Sequence, residues 1–176
     1  MNLAVRTIHT RACPYQVPDL LQNLFAAELI QPSDQLWIVS PWISDIPILD
    51  NTEYAFRALH PEWPRGKVLL SRLLERFSDL GTRVHLVTRD LRTNQSFLNR
   101  FKQLKGFRSA QLILYTDDMN HSKGILGRSF YLSGSMNFTN SGISANDETV
   151  HLNVDGETLA KSRIEFASRW NRRVNL

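Results

Sequence analysis

Short apolar runs alternate with amphipathic helical stripes along most of the chain. Leu36–Val39 (LWIV) and Gln111–Tyr115 (QLILY) have the length and the apolar content of buried strands. Between them, Val68–Leu80 repeats leucine and phenylalanine at helical spacing and stops at Gly81. Strands that alternate with helices form layers, because each helix buries its apolar stripe against a sheet. The sequence therefore predicts an α/β fold in which helices flank a mixed β-sheet.

The remaining elements continue this pattern. Helices are predicted at 18–30, about 97–104 and 157–170, and strands at 83–88, 123–126, 130–132 and 149–154. A long irregular stretch, Pro41 to Gly66, contains Trp42 and Trp63, and two tryptophans argue against disorder there. A chain of 176 residues is the size of one domain, so we expect a single domain over residues 1–176.

The bulk composition is that of an ordinary globular protein. The sequence has no run of about 18 apolar residues, and residues 1–17 lack the apolar stretch of a signal peptide. The single cysteine, Cys13, cannot form an internal disulfide. These features predict a cytoplasmic protein that is not embedded in a membrane.

The whole chain carries a net charge of +4, and its basic residues are concentrated in one part of the sequence. Seven of them lie between positions 83 and 108 beside one acid, Asp90: Arg83, Arg89, Arg92, Arg100, Lys102, Lys105 and Arg108. Such a cluster can hold phosphates, or it can be the solvated face of a surface helix. From this cluster we take as candidate nucleic-acid-binding residues Arg89, Arg92, Arg100, Lys102 and Lys105. Three further arginines, Arg169, Arg172 and Arg173, lie near the end of the sequence.

His121 and Lys123 are the first candidates for chemistry. In an extended strand, residues two apart project from the same face, so both side chains would meet one ligand. An imidazole can act as nucleophile or general acid near neutral pH, and a lysine can stabilise a phosphoryl oxygen that gains negative charge. The spacing alone is also compatible with an exposed strand edge.

Small and amide residues follow the next predicted strand. Gly134 would let the backbone approach a ligand closely, while Ser135 and Asn137 supply hydrogen-bond donors for phosphate oxygens. Turn and cap bonding is the alternative role for both polar side chains.

Taken together, His121-Ser122-Lys123 and Gly134-Ser135-Met136-Asn137 resemble the signature of the phospholipase D superfamily. That signature has an aspartate five residues after the lysine; Arg128 stands at that position here, and the segment is one residue shorter. In the superfamily this aspartate supports local structure. The resemblance, which extends over about residues 36–154, implies a phospholipase D-like sandwich with a mixed β-sheet flanked by helices, and it implies catalysis through a phosphohistidine.

Two further expectations come with the resemblance. Glu148, with Asp147 as the competing choice, lies where the superfamily has an acid that hydrogen-bonds the catalytic histidine. The superfamily mechanism uses two histidines, one as nucleophile and one as acid, whereas this sequence has a single His-x-Lys motif. We therefore expect a homodimer in which two His121 side chains face each other. The other histidines have no metal-ligand spacing, so no metal site and no cofactor are predicted.

The expected function is that of a metal-independent phosphodiesterase or nuclease whose partner is DNA. Catalytic roles fall to His121, Lys123, Asn137 and Glu148, and Lys123, Ser135 and Asn137 would bind the phosphate. One alternative is a weakly active or inactive nucleic-acid-binding subunit, since the Ser40-Pro41-Trp42-Ile43 and Gly134–Asn140 segments resemble phospholipase D-like proteins of bacterial DNA-modification and phage-defence clusters. The other alternative is a phospholipid phosphodiesterase.

Overall fold

The computed structural model describes residues 5–10 and 15–170. Cys13, Arg172 and Arg173 lie outside these residues. The strands are β1 (Val5–His9), β2 (Gln35–Val39), β3 (Pro47–Asp50), β4 (Lys67–Leu69), β5 (Arg83–Thr88), β6 (Leu112–Thr116), β7 (Gly124–Leu126), β8 (Tyr131–Gly134) and β9 (Thr149–Asn153). The helices are α1 (Gln16–Ile30), α2 (Leu70–Asp79), α3 (Gln95–Gln103), α4 (Lys105–Arg108), α5 (Asn140–Ser144) and α6 (Gly156–Trp170).

The described strands form a seven-stranded sheet and a separate hairpin. The order in the large sheet is β1-β9-β8-β7-β2-β5-β6, and the hairpin pairs β3 with β4. Strands β2, β5 and β6 are parallel to one another, whereas the neighbours from β2 to β1 are antiparallel. The predicted α/β fold with a mixed sheet is therefore confirmed. We call the edge at which β2, β5 and β6 end (Val39, Thr88 and Thr116) the carboxyl edge, and the opposite edge the amino edge.

Alternating side chains of β2 divide the core into two layers. Leu36 and Ile38 belong to the larger apolar cluster, which also contains buried residues of α1, α2 and α3. Trp37 and Val39 point to the other side, where they join buried residues of α6. This period of two is that of a strand buried on both faces, and it places helices on each side of the sheet.

The layer beneath α6 contains a stack of rings around a buried histidine. The ring centroid of His85 lies 3.9 Å from that of Trp37, at an interplanar angle of 10°. Its Nδ1 is 3.0 Å from the hydroxyl oxygen of Tyr115. Burial lowers the pKa of His85 to about 4, and the nearby positive charge of Arg83 acts in the same direction. His85 is therefore a neutral core residue at physiological pH.

Several predicted boundaries differ from the structure. The stretch from Pro41 to Gly66, predicted to be irregular, contains β3, and the predicted helix at 68–80 begins only at Leu70 because Lys67–Leu69 pairs with β3. The helix predicted at about 97–104 is observed as α3, and Gly106 lies within the short helix α4 that follows it. The strand β1 was not predicted, since its pattern has only one buried residue, Ile8. Among the residues that the structure describes, no helix is long and apolar enough to cross a membrane.

Candidate active site

His121 and Lys123 lie in the segment that leads from β6 into β7. Gly124, the first residue of β7, pairs with Val39 on one side and Ser133 on the other, so both candidates lie at the carboxyl edge. His121 is exposed and Lys123 is half-buried. The Lys123 ammonium donates a hydrogen bond to the backbone carbonyl of His121 at 2.8 Å, which ties the lysine side chain to the His121 backbone.

A buried asparagine fixes the backbone on which His121 is presented. Asn120 is fully buried, and its side chain accepts from the Ser122 N–H at 3.0 Å and donates to the Ser122 carbonyl at 3.3 Å. Its own N–H donates to the carbonyl of Asp117 at 2.9 Å. His121 is thus an exposed side chain on a rigid segment. Sequence reasoning missed Asn120, because an asparagine in a loop has many local roles.

The conformation of Gly134 is imposed by the sheet. Its φ is +149°, and a Cβ atom at this position would lie 2.0 Å from the carbonyl oxygen of Thr149. The Ser135 N–H donates to that same oxygen at 3.0 Å. Glycine is therefore required where β8 passes against β9 and the chain turns toward the carboxyl edge. The close neighbour of Gly134 is strand β9, and the expected approach of a ligand at this position stays a prediction.

Ser135 and Glu148 form a hydrogen-bonded pair beside this turn. The Ser135 hydroxyl donates to one carboxylate oxygen of Glu148, and Asn146 donates to the other at 3.2 Å. Ser135 Oγ also accepts from the Thr149 N–H at 3.0 Å. Glu148 is buried, and its backbone N–H donates to the Thr10 hydroxyl at 2.6 Å. The carboxylate is thus a buried support of the Ser135 turn.

No hydrogen bond links Glu148 to His121 in the part of the chain that the structure describes. The carboxylate accepts from Ser135 at one oxygen and from Asn146 at the other, beside the Ser135 turn. Asp147, the competing acid, is exposed. Glu148 therefore contacts one candidate phosphate ligand, Ser135, instead of the imidazole.

Asn137 is held by its backbone, while its side-chain oxygen has no partner. The carbonyl of Asn137 accepts from the Thr139 N–H at 2.9 Å, and the next residue, Phe138, donates its N–H to Ser40 Oγ at 3.0 Å. Asn137 Oδ1 is buried without a hydrogen-bond partner among the described residues. An unpaired buried acceptor costs about 1–3 kcal/mol. Such groups are few in native proteins, and a catalytic or binding role is one reason for keeping them.

The two motifs meet across a narrow crevice at the carboxyl edge. Lys123 and Gly124 line one part of it, and Ser133, Gly134 and Met136 line another. The structure therefore brings the His121 segment and the Gly134–Asn137 segment together. Of the candidate side chains, Lys123 lines this crevice, and His121 and Asn137 lie on the two segments that form it.

The basic cluster is divided along the length of α3. Arg89 and Arg92 directly follow β5, at the carboxyl edge. Arg100, within α3, pairs with Asp45 at 3.0 Å. Lys102 and Lys105 are exposed and lie toward the amino edge, because the chain must return there to begin β6 parallel to β5. The nine residues of α3 span about 13 Å, so the five candidates are spread from the carboxyl edge toward the amino edge.

Arg128 lies in the turn between β7 and β8, at the amino edge. Lys123 comes directly before β7 and Arg128 two residues after its end, so the length of the strand separates them. The turn is held without the motif aspartate: the buried carboxylate of Glu28 accepts from the Arg128 N–H at 3.3 Å, and the Arg163 guanidinium donates to the carbonyl of Gly127 at 2.9 Å and to that of Arg128. A carboxylate and a guanidinium from two helices thus fix the hairpin. Glu28 could not be recognised from the sequence, because it comes from a helix 100 residues away.

No group of three or more potential metal-ligating side chains lies together in residues 5–10 and 15–170. The site groups are an imidazole, an ammonium, a hydroxyl and an amide, all of which can bind or transfer a phosphoryl group directly.

Comparison with known proteins places the chain in a family. The chain is similar in fold to Nuc from Salmonella typhimurium, a phospholipase D family member (TM-score 0.59, 16% identity, 94% of this chain and 91% of the other covered). It is also similar to NucT from Helicobacter pylori (TM-score 0.61, 13% identity, 93% of each chain covered). A third likeness is to TrmBL2, an archaeal chromatin protein with a novel mode of DNA binding (TM-score 0.55, 12% identity, 96% of this chain and 52% of the other covered).

No curated protein sequence matches the chain. A family model described as cardiolipin synthase, PLD-like domain, matches residues 27–170, which include both motifs and the sheet from β2 to β9. The chain therefore belongs to this family of phospholipase D-like domains, and with it to the phospholipase D superfamily.

Proposed function

We propose that the protein is a metal-independent phosphodiesterase that cleaves nucleic acid, with DNA as the expected substrate, through a phosphohistidine at His121. The observation that carries the proposal is that Lys123 of the first motif and Gly134 and Met136 of the second line one crevice at the carboxyl edge, on the segments that also carry His121 and Asn137. Membership in a superfamily that contains phosphodiesterases supports the reaction class.

The chemistry follows from the groups present. A neutral ring nitrogen of His121 attacks the phosphorus, a P–N bond forms, and the P–O bond to one nucleoside breaks. The leaving oxygen takes a proton from a second, protonated imidazole. Water then attacks the phosphohistidine, that second imidazole takes up a proton from the water, and the P–N bond breaks to release a phosphomonoester. Lys123 and Asn137 stabilise the charge on the non-bridging oxygens.

The second imidazole is proposed to be His121 of another copy. Within the described residues His85 is buried, and His60 stacks on Trp63 with ring centroids 5.1 Å apart. His9 ends β1 at the carboxyl edge, but β1 lies three strands from β7, roughly 14 Å at ordinary strand spacing. His9 and His151 are both already engaged through Nδ1, His9 with the Thr149 hydroxyl at 3.2 Å and His151 with the Thr7 hydroxyl at 3.0 Å. A symmetric homodimer with the two carboxyl edges face to face would supply the missing group.

The proposal is tested by phosphodiester cleavage in the presence of EDTA. Cleavage of single-stranded or duplex DNA, or of bis(p-nitrophenyl) phosphate, should persist in EDTA and should be lost in His121→Ala. His151→Ala is the matched control, because His151 is an exposed histidine on β9 outside the crevice. Equal activity of wild type and His121→Ala, or complete loss in EDTA, would refute the mechanism.

The dimeric site has its own test. If each site needs two His121 side chains, mixed dimers of wild type and His121→Ala are inactive. The activity that remains in co-refolded mixtures should then follow the square of the wild-type fraction. A mixture of equal amounts should keep about one quarter of the wild-type activity. A linear fall to about one half would show that each chain acts alone.

One alternative is a nucleic-acid-binding subunit without turnover, as a component of a DNA-modification or phage-defence system. The replacement of the motif aspartate by Arg128 and the likeness in fold to a DNA-binding chromatin protein favour it. DNA binding by a purified dimer that cleaves none of the three substrates would support this reading.

A phospholipid phosphodiesterase is the second alternative. The description of the matching family model as cardiolipin synthase favours it. Cleavage of phosphatidylcholine or cardiolipin vesicles without action on DNA would establish the lipid reading in place of the nucleic-acid one.

A further inference from the structure

Trp42 is the exposed residue of an otherwise buried loop that follows β2. Ser40, Pro41 and Ile43 are buried, whereas Trp42 is 37% exposed. The loop backbone is fixed, because Ser40 Oγ donates to the Trp42 carbonyl at 2.6 Å and the Ile43 N–H donates to the buried side chain of Asn94 at 3.0 Å. A large ring on a rigid loop loses little conformational entropy when a ligand packs against it.

This loop lies directly beside the second motif. Ile43 forms a β-bridge with Phe138, the residue after Asn137, and the Ser44 N–H donates to the Phe138 carbonyl at 2.8 Å. Trp42 is therefore attached to the segment that presents the Asn137 amide.

Arg89 connects the ring of Trp42 to the first motif. Its guanidinium carbon lies over the Trp42 ring, 5.7 Å from the centroid. Its Nε donates to the carbonyl of Asp118 at 2.7 Å, and Asp118 belongs to the turn that ends at His121. Trp42 and Arg89 thus lie between the two segments that carry the site residues.

We propose that Trp42 and Arg89 form a stacking platform that binds an unpaired base of single-stranded nucleic acid next to the phosphate held by Lys123 and Asn137. The identity of this ligand rests on the proposed function. A guanidinium on one face of an indole leaves the other face for a base, and the terminal nitrogens of Arg89 can contact an adjoining phosphate.

Pairing status decides which nucleic acid fits. A base inside a duplex is already stacked on both faces and must be unpaired before it can reach the indole. An unpaired base stacks on an aromatic side chain without that cost and gains about 1–3 kcal/mol. The platform therefore selects single strands, flaps or frayed ends over blunt duplex.

Binding and cleavage by the full-length protein test the platform. Binding is measured by fluorescence anisotropy in a His121→Ala background, with a thymidine oligonucleotide of about 12 residues and a blunt duplex of the same length. Trp42→Ala should weaken single-strand binding about 5- to 150-fold and duplex binding less than about 2-fold. Trp42→Phe should restore most of the affinity. Tyr15→Ala, which removes an exposed aromatic residue at the start of α1, is the matched control and should change neither.

A second measurement places the base. An abasic residue is placed in turn on the 5′ side and on the 3′ side of the phosphate that is cleaved. On the side where the base stacks on Trp42, it should weaken binding of the His121→Ala protein as much as Trp42→Ala does. The two changes should not add, because they remove the same stacking contact.

The outcomes separate this inference from the proposed function. Unchanged single-strand binding in Trp42→Ala, while His121→Ala still abolishes cleavage, refutes the platform and leaves the phosphodiesterase intact. Trp42-dependent single-strand binding by a protein that cleaves no phosphodiester refutes the enzyme and supports the platform. Loss of dimers in Trp42→Ala by light scattering, or equal loss of single-strand and duplex binding, refutes the platform, since Trp42 would then serve the interface or the fold.

Discussion

The hydroxyl of Ser135 donates a hydrogen bond to the buried carboxylate of Glu148. The same hydroxyl oxygen accepts from the Thr149 N–H at 3.0 Å, so it ties the Gly134–Asn137 segment to β9. Through this contact Glu148 positions a candidate phosphate ligand, and it does so without touching the imidazole of His121. The acid therefore acts on the second motif in this structure.

The pair should show energetic coupling. We expect Ser135→Ala and Glu148→Gln each to lower the free energy of unfolding by about 1–3 kcal/mol, since each breaks a hydrogen bond to a charged group. In the double variant the loss of unfolding free energy should be about 1–2 kcal/mol smaller than the sum of the two single losses, because both changes remove the same contact. Urea denaturation measures all four proteins. Ser168→Ala, at an exposed position on α6, is the control, and its effect on the free energy of unfolding should add to that of Glu148→Gln. If the effects of Ser135→Ala and Glu148→Gln were also strictly additive, the proposed coupling between these two residues would be wrong.

Restoring the motif aspartate should not activate the protein. Arg128 lies in the turn at the amino edge, at the opposite end of β7 from Lys123, and Glu28 already supplies a carboxylate to the turn. Arg128→Asp should leave kcat/KM within about 3-fold of wild type, because ΔΔG‡ changes little when no group near phosphorus moves.

Its stability should fall instead. A second carboxylate near buried Glu28 should make Arg128→Asp about 0.5–1 kcal/mol less stable than the control Arg128→Ala. A tenfold or greater rise in kcat/KM for Arg128→Asp would mean that the turn acts on the active site.

The split of the basic cluster predicts unequal roles in binding. Arg92 lies at the carboxyl edge, whereas Lys102 and Lys105 lie toward the amino edge. For a short single-stranded oligonucleotide, Arg92→Ala should reduce the slope of log K against log salt by about 0.7, the value for one lost phosphate contact. The double variant Lys102→Ala/Lys105→Ala, measured by the same salt titration, should leave the slope within about 0.3. The opposite result would mean that the nucleic acid runs along α3.

The sequence predicted those features that depend on local pattern. Strands β2, β5 and β6 followed from their local hydrophobic pattern, and the neighbourhood of the His121 and Asn137 segments followed from a motif whose spacing is fixed by the β7–β8 hairpin. Strand β1 was missed because an edge strand with one buried residue has no apolar period.

Contacts between distant segments could not be predicted in the same way. Asn94 is buried and donates to the carbonyls of Pro41 and Arg89, at 2.9 Å each, yet in the sequence it is one polar residue before a helix. Glu28 supports a turn 100 residues away. The local spacing of residues does not indicate such partners, because the contacts form only when distant segments pack together in the folded chain.

The buried ring stack should make stability depend on pH in a defined window. The pKa of His85 is lowered from 6.5 to about 4 by its burial, so the unfolded chain binds a proton between these values that the folded chain does not. The stability contributed by neutral His85 is therefore fully present above pH 6.5 and is lost as the pH falls toward 4. The loss should approach about 3 kcal/mol at the lower end.

Urea denaturation at pH 7.0, 5.5 and 4.5 measures this slope, and His85→Phe tests its origin. Phenylalanine keeps a ring beside Trp37 but cannot take up a proton, so the slope of the unfolding free energy should fall by up to about 1.4 kcal/mol per pH unit between pH 6 and 4.5. The carboxyl groups with lowered pKa, Asp50 and Asp155, titrate below this window. An unchanged slope in His85→Phe would mean that the acid sensitivity of the fold comes from another group.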